Sequence, residues 1–153
     1  MYRSIVVPID LAEPDISRHA IDRAVALAKL SDSRIILVNV VPIMPVMMLD
    51  TVPVSYETEV ADKSRIAMEE LTRSVGLPPG RVSAVVRIGG VYHEVLEVAK
   101  EVGADLIVVG SHRPAMATYL LGSNATAIVR HATSSVLVVR EEQATRQRSV
   151  PVG

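Results

Sequence analysis

The sequence of 153 residues contains no cysteine, tryptophan or phenylalanine, and tyrosine occurs only four times. Without cysteine the chain cannot form a disulfide, a thiolate zinc site or a cysteine nucleophile. So few aromatic rings argue against a protein that binds single-stranded nucleic acid by stacking bases. Sixteen basic and seventeen acidic residues give a net charge of −1, which is not the basic excess of a nucleic-acid binder. We therefore expect no nucleic-acid partner.

Long apolar runs are also lacking. Charged residues or prolines interrupt every run well short of the ~18 apolar residues that a membrane span needs. The first residues lack the apolar core of a signal peptide. These absences predict a cytoplasmic protein without membrane insertion. The length corresponds to about one domain, which we expect to cover residues 1–141, followed by a flexible polar tail over 142–153.

The hydrophobic pattern alternates between two types of segment. Runs rich in β-branched residues predict five strands, at 4–9, 34–41, 82–88, 105–109 and 135–139. Between them, apolar residues at three- or four-residue steps predict four helices, at 14–29, 56–75, 91–102 and 124–132. Residues 106–109 are apolar at successive positions, which is typical of a parallel strand buried on both faces. The pattern predicts an α/β fold, an open parallel sheet with helices on both faces.

The segment 42–55 does not fit this alternation, because it is long and contains three prolines and three methionines. Loops of this length in a compact domain are commonly functional or mobile. The methionines could cover a ligand or pack against a partner. The alternative is a surface loop that tucks its apolar side chains onto its own domain.

Ligands of open parallel sheets bind beyond the carboxyl ends of the strands, where the strand order reverses. The residues after the fourth predicted strand are Gly110, Ser111, His112 and Arg113, and three of them offer hydrogen-bond donors. Further along, the segment 122–124 (Gly-Ser-Asn) precedes a short helix, whose free N–H groups would hold phosphate. Gly110 and Gly122 would then bracket a polyphosphate, with the Arg113 guanidinium beside it. The alternatives are that 122–124 is only a helix cap and that His112 is a capping or surface histidine.

Asp10 follows the first predicted strand and has two interpretations. Its carboxylate could bind ribose hydroxyls, or hold Mg²⁺ through water. Alternatively, it caps the helix that opens near Pro14. No Walker phosphate loop and no Gly-x-Ser-x-Gly nucleophile motif is present, and no residue is identifiable as a committed base or nucleophile.

Several motifs together resemble the universal stress protein family. The resemblance runs from Ile-Val-Val-Pro-Ile-Asp at 5–10 to Ser-Val-Leu-Val-Val-Arg at 135–140. Gly-Ser-His-Arg-Pro at 110–114, Tyr-Leu-Leu-Gly-Ser-Asn-Ala at 119–125 and Val-Arg-His-Ala at 129–132 are similar to its F- and G-type bacterial subgroup. ATP-binding members carry Gly, two residues, Gly, nine residues, then Gly-Ser or Gly-Thr. Here Arg113 stands at the middle glycine and only eight residues separate it from Gly122.

The resemblance implies a strand order of 3-2-1-4-5 and binding of ATP with Mg²⁺ or Mn²⁺. It implies that Asp10 meets ribose, that the Val40 backbone holds adenine, and that Gly110 lies by the ribose. It also assigns the following residues to nucleotide binding: Pro8, Ile9, Asp10, Val40, Gly110, Ser111, His112, Arg113, Gly122, Ser123, Asn124 and Ala125. It implies a homodimer through strand 135–139, which the apolar character of that edge strand independently favours. The sequence does not decide between a dimer and a tetramer.

These observations leave three functional hypotheses. The first is an ATP-binding regulatory module of the stress response, whose nucleotide state alters its interaction with an unidentified protein partner and which hydrolyses ATP slowly at most. The second is a nucleotide-free interaction protein, in which Arg113 and the shortened spacing mark a lost site. The third is an enzyme that cleaves ATP between the α and β phosphates to adenylate a substrate.

Overall fold

The computed structural model describes residues 1–111 and 122–140. Its five strands form one parallel sheet with the order β3-β2-β1-β4-β5, which confirms the predicted fold. The strands are β1 (Ser4–Pro8), β2 (Arg34–Val41), β3 (Val82–Ile88), β4 (Leu106–Gly110) and β5 (Ser135–Val139). The helices are α1 (Pro14–Ser31), α2 (Tyr56–Ser74), α3 (Val91–Glu101) and α4 (Ser123–His131). The sheet order reverses between β1 and β4.

Two hydrophobic cores lie on the two faces of the sheet. On one face, alternate residues of the central strands, such as Ile5 and Leu37, pack with α1 and with Met68 of α2. On the other face, Val6, Val38 and their neighbours pack with the apolar stripes of α3 and α4. Alternation of side chains along each strand explains why consecutive apolar residues are needed in β1, β2 and β4. None of the helices in the described ranges has the combination of length and apolar character that crossing a lipid bilayer requires.

The helix ends differ from the predicted ends by one or two residues. Gly103 ends α3 with φ +63°, and the N–H groups of Gly103 and Ala104 donate to the carbonyls of Lys100 and Ala99, as in a Schellman motif. By contrast, α1 runs two residues further than expected. The guanidinium of Arg81, far away in the sequence, donates to the Ala28 carbonyl over 2.7 Å at that end. The sequence pattern of the helix alone does not contain this partner.

The segment 42–55 contains a short 3₁₀ helix, Val46–Met48, and its apolar side chains lie largely in solvent. Val46 and Met47 are 80% and 93% exposed, and Val54 is fully exposed. The interpretation that this loop tucks its apolar side chains onto its own domain is therefore wrong. A hydrogen bond to α2 explains the difference, since the Met44 N–H donates to Glu57 Oε1 over 3.0 Å and holds the loop along the start of α2.

At the amino ends of the strands, the Asp105 carboxylate binds the beginning of β1. Its oxygens accept the backbone N–H groups of Arg3, at 2.9 and 3.1 Å, and of Ser4, at 3.1 Å. Burial by itself would raise the pKa of Asp105, but these hydrogen bonds to the charged form outweigh it. The net effect holds the pKa below its ordinary value of 3.8.

We expect the substitution Asp105→Asn to lower the free energy of unfolding in a pH-dependent way. Since the folded pKa lies below the unfolded value, the contribution of the carboxylate is present above pH 3.8 and is lost as the pH falls through the folded pKa. Urea denaturation from neutral pH down to acid should therefore show a difference between wild type and variant that shrinks below pH 3.8. The exposed Asp22 of α1 is the control, as Asp22→Asn. A difference that stays constant across this range would contradict the assignment.

Candidate functional site

A cavity of about 550 Å³ opens at the carboxyl edge of the sheet, where the strand order reverses between β1 and β4. This is the position at which open α/β sheets bind ligands. The volume is within the range of small-molecule sites, roughly 300–1,000 Å³. The ends of β1, β2 and β4 form its floor, and the first turns of α1, α3 and α4 form its walls. Three helix N-termini, with their partial positive charges, therefore face the same space.

The floor of the cavity is held together by hydrogen bonds between β1 and β2. The side-chain amide of the buried Asn39 donates to the Ile9 carbonyl over 3.0 Å, and the Ile9 N–H donates to the Val38 carbonyl over 2.7 Å. Val38 and Val40 are buried beside them and line the cavity. The end of β1 is thus fixed relative to an apolar surface on β2.

Asp10 lies at the rim, and α1 fixes its backbone. The hydroxyl of the buried Ser17 accepts the Asp10 N–H at 3.0 Å and donates to the Asp10 carbonyl at 3.3 Å. The Asp10 Oδ1 atom accepts the Ala12 N–H at 2.9 Å, two residues further on, which is an Asx turn. The residue at the N-cap of α1 is Glu13, not Asp10, and it makes no side-chain capping hydrogen bond. The alternative that Asp10 caps this helix is therefore wrong in its detail, because Asp10 closes the preceding turn.

The start of α4 forms the opposite wall. Gly122 is the N-cap residue, and the first hydrogen bond of the helix runs from the Thr126 N–H to the Gly122 carbonyl at 2.9 Å. The N–H groups of residues 123–125 precede this bond and have no acceptor within the helix. Gly122 has no side chain with which to cap them, and all four residues from 122 to 125 line the cavity. The segment 122–124 therefore does begin the helix, as the alternative of a helix cap predicts, but no side-chain capping hydrogen bond is found there among the described residues.

Gly110 has a packing role that the sequence did not indicate. A Cβ atom at this position would lie 2.6 Å from Cγ2 and 3.0 Å from the carbonyl oxygen of Ile16. Glycine therefore lets α1 approach the end of β4, and both residues line the cavity. The close approach of the helix, rather than an unusual backbone conformation, accounts for glycine here.

Most of the residues predicted for the site lie around this one cavity: Pro8, Ile9, Asp10, Val40, Gly110, Gly122, Ser123, Asn124 and Ala125. Ser111 is described but does not line it; its N–H donates to the Val139 carbonyl over 2.8 Å and continues the pairing of β4 with β5. His112 and Arg113 lie outside the described residues.

Two polar residues of the site, Asn39 and Ser17, were not predicted from the sequence, although each interrupts an apolar pattern. Asn39 interrupts the apolar run of β2, and Ser17 stands on the buried stripe of α1 that continues with Ala20 and Ala24. A buried polar side chain needs a hydrogen-bond partner, so each of these interruptions indicates a tertiary contact. Which contact it makes is visible only once β1, β2 and α1 are assembled.

An open parallel α/β sheet with a ligand-sized cavity at its switch point belongs to the class of folds whose ligands bind at that edge of the sheet. The sequence model of the universal stress protein family matches residues 1–140. Universal stress protein G of Shigella flexneri is 36% identical over 143 residues, which cover 92% of this chain and all of that protein. The chain belongs to the universal stress protein family.

Solved structures agree with this assignment. The chain superimposes on the universal stress protein UspA from Lactobacillus plantarum with a TM-score of 0.75 and 25% identity, covering 91% of this chain and 98% of that one. A universal stress protein in complex with cAMP gives a TM-score of 0.65 at 22% identity, covering 90% and 97%. The universal stress protein from Archaeoglobus fulgidus in complex with dAMP gives 0.61 at 18% identity, covering 90% and 98%. At these identities, the last two establish the common fold.

Proposed function

We propose that this chain is an ATP-binding regulatory module of the universal stress protein family, with the nucleotide in the cavity between β1 and β4. The observation that carries the proposal is the set of N–H groups at the start of α4, which no side chain of the described residues caps and which face a cavity of nucleotide size. Two proteins of the same fold were solved with adenine nucleotides, cAMP and dAMP, which supports the same ligand class for this one.

The distribution of charge and apolar surface suggests an orientation for the nucleotide. The carboxylates of Asp10 and Glu13 lie on the α1 side of the cavity, where they would repel phosphates. The phosphates should therefore lie at the α4 amides, and Asp10 should meet the ribose hydroxyls. Val38 and Val40 provide apolar surface for the adenine base. The proposed roles of His112 and Arg113 at the phosphates remain predictions.

A divalent cation is part of this proposal. One Asp10 carboxylate oxygen accepts the Ala12 N–H, and the other has no hydrogen-bond partner among residues 1–111 and 122–140. We therefore propose that Mg²⁺ or Mn²⁺ arrives with the phosphates and that Asp10 contacts it through water. Among the described residues, no group of three or more His, Asp or Glu could hold a metal ion.

The proposal extends to the organisation of the chain. We propose that residues 1–141 act as one domain and that 142–153 form a tail. We also propose that two copies pair through β5, which is an edge of the sheet with Leu137 exposed and Val136 half-buried. The choice between dimer and tetramer, the cytoplasmic location and the identity of a protein partner stay predictions.

We expect the purified chain to bind Mg-ATP at one site. Adenosine should bind more weakly because it lacks the phosphates, and Mg-GTP should bind more weakly because it lacks the adenine base. Isothermal titration calorimetry with the three ligands measures this. Denaturing the purified protein and analysing the supernatant for adenine nucleotides checks whether a ligand co-purifies. Incubation with ATP followed by chromatography separates ADP, which slow hydrolysis would give, from AMP and pyrophosphate.

Each negative result selects another hypothesis. If ATP neither co-purifies nor binds at millimolar concentration, the chain is a nucleotide-free interaction protein of this fold. Stoichiometric release of pyrophosphate, with the AMP moiety transferred to an acceptor, would instead identify an adenylating enzyme. Equal affinity for adenosine and ATP would mean that the α4 amides do not hold phosphate.

A further inference from the structure

The loop between β2 and α2 displays a cluster of apolar side chains that no described part of the chain covers. We call it the methionine surface, and it comprises seven residues that share high solvent exposure: Ile43, Val46, Met47, Met48, Leu49, Val54 and Tyr56. Isolated exposed apolar residues are normal, but so many within one short segment mark an interaction site.

The backbone under this surface is organised by hydrogen bonds. The Met48 N–H donates to the Pro45 carbonyl at 2.9 Å, the Thr51 N–H to the Met48 carbonyl at 3.1 Å, and the Tyr56 N–H to the Pro53 carbonyl at 3.0 Å. These consecutive turns, together with the bond from Met44 to the Glu57 carboxylate, hold the apolar side chains away from the domain. The methionine surface is thus presented to solvent by its backbone.

The charged residues around the methionine surface indicate what kind of partner would cover it. No lysine, arginine or histidine occurs between residues 35 and 62. The same range contains four acidic residues: Asp50, Glu57, Glu59 and Asp62. Asp62 pairs with Arg65, and Glu57 binds the loop backbone. The Glu59 carboxylate accepts only the neutral Ser55 hydroxyl at 3.1 Å among the described residues, so the exposed Asp50 and Glu59 keep their negative charge beside the surface. An occupant with apolar anchors flanked by lysine or arginine would complement this arrangement.

A second copy of the chain complements it poorly. A symmetric contact places the same patch on both subunits, so the carboxylates of one copy would face those of the other. Like charges brought together at an interface oppose association. The flexible, polarisable thioethers of Met47 and Met48 instead suit apolar side chains of differing shape on another protein.

We propose that the methionine surface is the docking site for a basic amphipathic helix of another protein. The apolar side chains of one helix face would pack on the methionine and valine side chains, and its lysine or arginine residues would approach Asp50 and Glu59. Pro42, at the beginning of this loop, lines the cavity. The docked helix would therefore lie beside the proposed nucleotide site, which is where a regulatory module needs its partner.

The test uses the full chain without nucleotide, so that its result does not depend on the nucleotide-binding proposal. The probe is a synthetic helical peptide of about five turns with leucine on one face and lysine on the other. A matched peptide carries glutamate in place of lysine. We expect titration calorimetry to detect the lysine peptide and to find the glutamate peptide at least tenfold weaker.

Variants locate the binding. The triple variant Val46→Ser, Met47→Ser, Val54→Ser should weaken the lysine peptide at least tenfold, and its fold should survive because all three side chains are exposed. The control variants Leu30→Ser and Ile66→Ser, also exposed apolar residues, should leave the affinity unchanged. Loss of affinity in Asp50→Asn combined with Glu59→Gln would support the charge assignment.

Three results would overturn the proposal. One is no binding of the lysine peptide, and another is equal binding by the wild type and the triple variant. The third is a change of oligomeric state in the triple variant, measured by analytical ultracentrifugation, because a second copy would then be the occupant.

Discussion

The substitution Gly122→Val is expected to weaken ATP binding at least 100-fold, or about 2.8 kcal/mol at 1.4 kcal/mol per tenfold. Gly122 precedes the uncapped amides of α4 and lines the cavity, so a branched side chain here would occupy the space through which phosphate approaches the backbone. Its φ and ψ of −58° and 155° are accessible to valine, so the backbone itself need not change. Calorimetry with Mg-ATP measures the effect.

The chain offers a matched control in Gly90. This glycine is the N-cap residue of α3 and has a similar conformation, with φ −74° and ψ 132°, but it does not line the cavity. Gly90→Val therefore reproduces the cost of a poor N-cap without blocking the proposed phosphate site. We expect it to lower stability somewhat and to leave ATP affinity within about threefold of wild type. Undiminished affinity in Gly122→Val would remove the phosphates from the start of α4.

The substitution Gly110→Ala should lower the free energy of unfolding by about 1–3 kcal/mol, the usual range for overpacking. The added methyl group would lie 2.6 Å from Cγ2 of Ile16 and 3.0 Å from its carbonyl oxygen. Because one of these atoms belongs to the backbone of α1, the helix itself must move. Chemical denaturation measures the loss, and Gly90→Ala is the control, since its Cβ would be 3.8 Å from the nearest atom.

The double variant Ile16→Ala, Gly110→Ala separates the contact with the Ile16 side chain from the contact with the Ile16 carbonyl oxygen. In an Ile16→Ala background the side-chain clash disappears, so Gly110→Ala should cost less there than in the wild type. Part of the cost should remain, because the contact with the Ile16 carbonyl persists. If Gly110→Ala is as stable as wild type, α1 can move away without cost and the close approach does not constrain the fold. The ATP affinity of the Gly110→Ala variant should also fall, because Gly110 and Ile16 both line the cavity.

The sheet and helices were predictable because their signals are local. Consecutive apolar residues in 106–109 indicate a strand buried on both faces, and glycines such as Gly103 end helices through backbone geometry alone. The end of α1 and the exposure of the segment 42–55 were not predicted from these local signals. Arg81, which directly precedes β3, donates to the Ala28 carbonyl near the end of α1, and the hydrogen bond from Met44 to Glu57 holds the segment 42–55 along the start of α2.

Some residues of the candidate site were likewise predictable from the sequence, and others were not. Asp10 and the segment 122–125 could be identified because strand ends and helix starts are readable in sequence, and parallel strands bring them to one edge. The roles of Ser17 and Asn39 could not be predicted, because a single polar residue in an apolar run does not indicate which carbonyl or N–H group it will bind.

For this protein, the order of apolar, glycine and β-branched residues by itself determined the fold class and the sheet edge that carries the cavity, because periodicity and backbone freedom are properties of short segments. The family followed from the resemblance of its motifs. Only the tertiary structure decided the reason for Gly110, the hydrogen bonds that fix Asp10 and the exposure of the methionine surface. Each of these depends on which atoms of remote segments come within contact distance, and that depends on how the helices settle on the two faces of the sheet.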